Sequence, residues 1–228
     1  PEAATPAVPM IVLLAALVPF GLGYLLSYLF RAANAVTAPD LVRDLGLTAS
    51  DLGMLTAAYL FAFALFQLPL GILLDRFGPR RVQTGLLLLA AGGAALFASG
   101  QSALHLAIAR AVIGMGVAGG LMASFKAVVM WVPEVRRPLA NSCVMSLGAV
   151  GLLISTTPFE WALQLAGWRG VFLVLAAITA VVALMILLVV PEKPIAASGD
   201  TLGQQIGALV GIYRDRAFWA LAPLLAST

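Results

Sequence analysis

Apolar residues in this chain run in long blocks rather than alternating, and six blocks are long enough to be helices. The first runs from about Pro9 to Ala38 and carries Arg31 and Asn34 late in its course. A polar connector, Pro39 to Ser50, follows, in which Thr48 or Ser50 is placed to cap the next helix. That second helix is expected over Asp51 to Leu74, a charged loop over Asp75 to Arg81, and a third helix over Val82 to Ser99. After the turn Gly100-Gln101-Ser102, a fourth helix spans Ala103 to Trp131 and holds Arg110 and Lys126. A second charged loop, Pro133 to Pro138, leads to a fifth helix over Leu139 to Trp161. Gly167-Trp168-Arg169 then opens a sixth, which closes at Pro191.

Val171 to Val190 is a run of 20 residues without a charge. A rise of about 1.5 Å per residue carries such a run across a hydrocarbon core of about 30 Å. The fold class expected is therefore an all-α membrane protein. Residues 1–191 read as a six-helix transmembrane bundle and 192–216 as a cytoplasmic linker, in which Leu202, Ile206, Leu209 and Ile212 recur at the spacing of an interfacial helix. Residues 217–228 read as the start of a seventh helix. The chain opens without Met or a basic leader and stops within an apolar stretch, so both ends read as cut from a longer product.

Composition supports the class. The 228 residues are 62% hydrophobic and 10% charged, with a mean hydropathy of +1.04. A soluble domain keeps about a quarter of its residues charged. The net charge of +3 comes from basic residues scattered along the chain rather than gathered on one face, which argues against nucleic acid as a partner. One cysteine, Cys143, and one histidine, His105, leave no basis for a disulfide, a metal centre or a cofactor. Cys143 reads as a packing residue, and Trp131, Trp161 and Trp168 at helix ends read as interfacial anchors.

The basic residues set an orientation. The loops after helices two, four and six hold eight, Arg76, Arg80, Arg81, Arg136, Arg137, Lys193, Arg214 and Arg216. The loops after helices one, three and five hold two, Arg43 and Arg169. This asymmetry places the N-terminus and the even-numbered loops in the cytoplasm.

The loop between helices two and three reads Gly71-Ile72-Leu73-Leu74-Asp75-Arg76-Phe77-Gly78-Pro79-Arg80-Arg81. It resembles the signature loop of the major facilitator superfamily. Helix four adds Arg110 followed by Gly114 and Gly116, the spacing of that superfamily's fourth helix, and Gly167-Trp168-Arg169 with Phe172 is similar to its sixth-helix entrance. The resemblance covers helices two through six. It implies the N-terminal half of a secondary transporter, built as two inverted three-helix repeats and completed by a C-terminal half of the same protein. It also implies a gating and interface role for Gly71, Asp75, Arg76, Gly78, Arg80 and Arg81. The chemistry agrees: Gly71 suits close helix approach, Gly78 a tight turn, and Arg80 and Arg81 the headgroup region. Asp75 suits a helix dipole or an arginine across a domain interface. The glycine-proline-glycine run of proton-exchanging drug exporters is missing from helix five, which reads Gly148-Ala149-Val150-Gly151-Leu152.

Basic residues inside spans point to function, because burying them in lipid is costly. Arg31 shares a helical face with Tyr24, Ser27, Tyr28 and Asn34. Arg31 and Arg110 each lie roughly 10 to 12 Å below the outer ends of their helices. Lys126 follows Arg110 by 16 residues, roughly 24 Å along the axis, too far to share one small-molecule site with it. Two readings stand side by side. In one, Arg31 with Arg110 binds an anionic substrate, with Tyr24, Tyr28 and Asn34 as further candidates on the same face of helix one and Lys126 as a separate candidate nearer the cytoplasmic side. In the other, Arg110 forms a structural ion pair with Glu160 while Lys126 snorkels to the headgroups. Glu160 is also the place for a proton site in this half, if one exists.

The function expected is secondary active transport of a small organic or inorganic anion across the cytoplasmic membrane, by symport or antiport. The resemblance to the organic-anion and nitrate branches is loose. Alternatives are an exporter of drugs or of neutral or cationic solutes, and a non-transporting membrane assembly or sensing subunit. An intramembrane enzyme is not expected, since no nucleophile and base fall together.

Overall fold

The computed structural model describes the backbone of residues 10–192 and the side chains of residues 14–192. The expected linker beyond Glu192 and the seventh span lie outside the described residues. Among those described, the chain is all helix: α1 (Met10–Leu45), α2 (Ala49–Ala98), α3 (Ala103–Val117), α4 (Gly120–Trp131), a 3₁₀ turn (Glu134–Arg136), α5 (Arg137–Ile154) and α6 (Thr157–Val189). Five stretches are long and apolar enough to cross a membrane, with α3 and α4 together counting as one.

Several boundaries differ from expectation, each for a local reason. The first helix does not stop at Ala38 but continues through Pro39 to Leu45. Arg43, bonded to both Asp40 and Asp44, stabilises that last turn. Gly46, with φ 65°, ends it in the left-handed region and donates its N–H to the Val42 carbonyl at 2.9 Å. The connector shrinks to residues 46–48. Thr48, not Ser50, is the cap, sharing a reciprocal capping box with Asp51. At the other end of the chain, the fifth helix stops at Ile154 rather than at Trp161. Pro158 cannot continue it but suits the first turn of α6, which starts at Thr157 and breaks again at Gly167. The expected fourth helix is split at Ala118-Gly119 into α3 and α4. Gln67 answers that break by donating its side-chain amide to the Ala118 carbonyl at 3.3 Å.

The expected charged loop between helices two and three is reduced to one residue. Gly78 alone leaves helical geometry, with φ 77° and ψ 162°, and Pro79 restarts the helix with its φ already set. Contacts with α3 and α4 show the chain reversing there. On the first arm of α2, Tyr59 meets Gly114 and Gln67 meets Ala118. On the second arm the order inverts, since Gln83 meets Gly119, Ala90 meets Gly116 and Gly93 meets Ile113. The two arms thus clasp α3 between them. Gly114 and Gly116 permit the clasp: a Cβ would fall 2.3 Å from the Tyr59 carbonyl oxygen at Gly114, and 2.4 Å from the Ala90 nitrogen at Gly116.

The end of the bundle holding Asp44 is tied by aromatics. Trp168 is 2% exposed, so it is a core residue rather than an interfacial anchor, and Trp131 is likewise buried. Phe97 stacks on Phe172 with centroids 4.2 Å apart and meets Trp168 edge-on at 5.8 Å. The indole N–H of Trp168 donates to the Asp44 carboxylate at 3.0 Å, joining α1 to α6. Arg169 lies over the indole and donates to the Gly100 carbonyl at 2.9 Å. Trp161 is exposed, as is Cys143, which therefore does not pack the core. Trp168→Phe keeps a ring but removes the donor to Asp44. The expected loss is about 1 to 3 kcal/mol, with the larger Trp168→Ala cavity costing about 3 to 5 kcal/mol. Thermal unfolding of the two variants in detergent checks the order.

Candidate functional site

The expected polar face of α1 is present, but its members divide. Tyr24 donates to the Tyr28 hydroxyl at 3.3 Å, and the two rings meet edge-on at 5.1 Å. Gly148 of α5 leaves room for both rings, since a Cβ there would lie 2.5 Å from Tyr24. Asn34 is buried and donates to the Thr56 hydroxyl of α2 at 2.8 Å. Arg31 is exposed, with its guanidinium 5.4 Å from the Tyr28 ring and 5.2 Å from the Phe63 ring.

Arg110 lies on α3 and is 1% exposed. One guanidinium nitrogen donates to the Phe30 carbonyl, in the turn just before Arg31, at 2.9 Å. The guanidinium carbon stands 4.4 Å from the Tyr59 ring centre. Tyr59 in turn stacks on Phe63 at 6.3 Å with the planes 17° apart. A ladder results: Arg110, Tyr59, Phe63, Arg31, Tyr28. Ring faces stabilise a cation by about 2 kcal/mol or more when desolvated.

No carboxylate pairs with either arginine among the described residues. In particular, Arg110 does not pair with Glu160, which corrects that alternative. Pro158 starts a new helix, so Glu160 sits in the first turn of α6 instead of ending α5. There it lines a cavity of about 560 Å³ with Asp40, Arg43 and Gln164. Two cations held by rings and a carbonyl, with no acid between them, suit an incoming anion.

Lys126 belongs elsewhere. It does not join the arginines but forms an ion pair with Asp75 of the signature loop. Asp75 thus takes a lysine from α4 of the same bundle. Arg80 donates to the Leu187 carbonyl at 3.0 Å and reaches Glu192 at 3.5 Å, while Arg81 pairs with Glu192. Arg76 lies over Phe77 at 5.6 Å. Around Gly71, by contrast, there is open space, and no described helix approaches it. Its face of α2 also exposes Phe61, Leu65 and Leu68, and α5 exposes Leu139, Met145 and Leu153.

Tyr59 and Phe63 are site residues that the sequence reading passed over. Their signal is the spacing of Thr56, Tyr59, Phe63 and Gln67, which puts hydroxyl, rings and amide on one side of an otherwise apolar helix.

Several proteins similar in sequence to this chain are named as transporters. A probable sulfoacetate transporter of Cupriavidus necator is 31% identical over 156 residues, covering 68% of this chain and 36% of that protein. A galacturonate transporter of Dickeya chrysanthemi is 28% identical over 221 residues, covering 88% of this chain and 63% of that protein. A probable galactarate/D-glucarate transporter of Bacillus subtilis is 27% identical over 156 residues, covering 66% and 34%. The chain thus spans less than two thirds of the length of these relatives. Residues 20–228 match the sequence profile of the Major Facilitator Superfamily. With that match, the helix-long apolar spans and the Gly78 loop, this chain belongs to the Major Facilitator Superfamily and is an integral membrane protein.

Proposed function

We propose that the chain is the N-terminal six-helix half of a secondary transporter that moves small organic anions across the cytoplasmic membrane by alternating access. The six spans are α1, the two arms of α2, α3 with α4, α5, and the longer arm of α6. The N-terminus and the Gly78 loop face the cytoplasm. Residues 192–216 link this half to a seventh helix beginning at 217. A C-terminal half of the same protein covers the exposed faces of α5 and of the first arm of α2, where the open space at Gly71 admits a helix closely.

The observation that carries this reading is the Arg31–Arg110 ladder, in which neither guanidinium has an acidic partner among the described residues. A carboxylate or sulfonate group supplies the missing charge, and Arg offers it a planar, bidentate donor set. The named substrates of the relatives, sulfoacetate, galacturonate and glucarate, are all small organic acids, which supports the class. At the cytoplasmic end, the Asp75–Lys126 pair and the bonds of Arg80 and Arg81 to α6 and Glu192 brace the loop that forms this half's side of the gate.

A thermal-shift panel on the full-length transporter in detergent tests the substrate class, comparing sulfoacetate, galacturonate and glucarate with choline and neutral sugars. A ligand at 100 times its dissociation constant stabilises by about 2.7 kcal/mol. Shifts confined to the acids support the reading, and shifts from choline or sugars alone overturn it.

A further inference from the structure

The ring of Tyr59 has an evident purpose and its hydroxyl has none within the bundle. The side chain is 1% exposed, and the buried hydroxyl finds no acceptor for its proton among the described residues. Nε of Arg110, whose guanidinium stands over the same ring, is unpartnered as well. Leaving a buried hydroxyl unbonded costs about 1 to 3 kcal/mol. A phenylalanine at this position would stack on Phe63 and present the same face to Arg110 without that cost. Phe63, one turn further along α2, is such a residue, so the chain uses a plain ring where only a ring is needed.

The surroundings of the hydroxyl indicate what it meets. Both Arg31 and Arg110 lie within electrostatic reach of the Tyr59 phenol, and the Arg31 guanidinium faces its oxygen as a hydrogen-bond donor. A phenolic O–H beside two guanidinium groups is placed to donate to an oxygen that those cations attract. Nothing acidic occupies that place among the described residues. The backbone there is held hard, because Tyr59 packs directly on Gly114, where a Cβ would meet its carbonyl oxygen at 2.3 Å. The phenol is therefore aimed by the clasp of α2 on α3 rather than by a hydrogen bond of its own. Arg31, being exposed, is the neighbour through which it meets the open face of the bundle.

We propose that Tyr59 is a specificity-determining residue whose hydroxyl donates a hydrogen bond to an oxygen of the carboxylate or sulfonate substrate drawn in by Arg31. This rests on the anion-transporter reading and adds to it a contact on α2. Arginines alone attract any anion. A fixed O–H beside them favours an acid whose oxygen falls at one point in space, so an acid of the right shape gains more from it than a simple halide does.

The test uses full-length protein with Tyr59→Phe and Tyr59→Leu, probed with sulfoacetate, galacturonate and chloride. Tyr59→Phe should unfold at the same temperature as the parent or higher when no acid is present. It should bind the preferred organic acid about tenfold more weakly, the loss of one hydrogen bond to a charged group. That loss should appear in KM for uptake more than in the maximal rate, while chloride binding falls less than binding of the acid. Tyr59→Leu, which also loses the cation–ring contacts, should bind less well again. Unchanged affinity in Tyr59→Phe overturns the proposal, and so does a fall in its unfolding temperature without ligand, since the hydroxyl would then be structural. If the parent protein binds none of the acids, the anion reading itself fails, and this proposal with it.

Discussion

Arg31→Ala is expected to lower the affinity of the full-length transporter for its organic acid by roughly 100-fold, with little change in unfolding temperature. Arg31 is exposed, lies against the Tyr28 and Phe63 rings and the Tyr59 hydroxyl, and has no carboxylate partner among the described residues. Its removal therefore strands no buried charge within this bundle. What it takes away is a charge-assisted bidentate contact with the acid, for which a loss of about 2 to 5 kcal/mol is typical. Arg31→Lys should recover part of the loss, because an ammonium keeps the charge but not the planar fork. Binding titrations of the three proteins measure this directly. Arg110 makes a poorer first target, since its bond to the Phe30 carbonyl and its burial join binding to folding.

The second large effect is structural. Gly116→Val should prevent stable assembly, because a Cβ at this position would lie 2.4 Å from the Ala90 nitrogen and 2.7 Å from its Cα. These are backbone atoms of α2, so no rotamer relieves the overlap. Relief requires moving one arm of the α2 clasp off α3, at a cost of about 3 kcal/mol or more. Gly92→Ala serves as the control. It lies on the same helix as Ala90 with nothing within 4 Å, so it should be neutral or slightly stabilising. Monodispersity and unfolding temperature in detergent separate the two outcomes.

Hydrophobic runs made the spans legible, and a few strong local signals made some of their ends legible too. Gly78 between two charged turns marked the reversal within α2, and Thr48 with Asp51 marked its start. The misplaced boundaries share a cause: proline was weighed by residue type rather than by position. Pro39 sits inside α1, tolerated within a helix whose end is fixed by Arg43 and Gly46, whereas Pro158 starts α6. The break at Ala118-Gly119 leaves no mark in an apolar run, because Gln67, the residue that bonds to it, lies 51 positions away.

The candidate site was half legible for a similar reason. A basic residue within an apolar span is conspicuous, so Arg31, Arg110 and Lys126 stood out. Their partners did not. Lys126 finds Asp75 across 51 residues, and Arg110 reaches Phe30 across 80. Glu160 looked like the natural partner of Arg110 only while α5 was drawn through Pro158. Tyr59 and Phe63 resemble core aromatics in the sequence, and only the approach of α3 and α1 sets a guanidinium over each ring.

The most direct test of the central claim is uptake of radiolabelled sulfoacetate or galacturonate into proteoliposomes holding the full-length protein. Parallel vesicles carry Arg31→Ala at matched density. The account predicts saturable uptake of an organic acid by the parent, inhibited by related acids and lost in Arg31→Ala. Uptake of a neutral or cationic solute, with the acids neither transported nor inhibiting, would contradict it and leave the arginine ladder a structural feature.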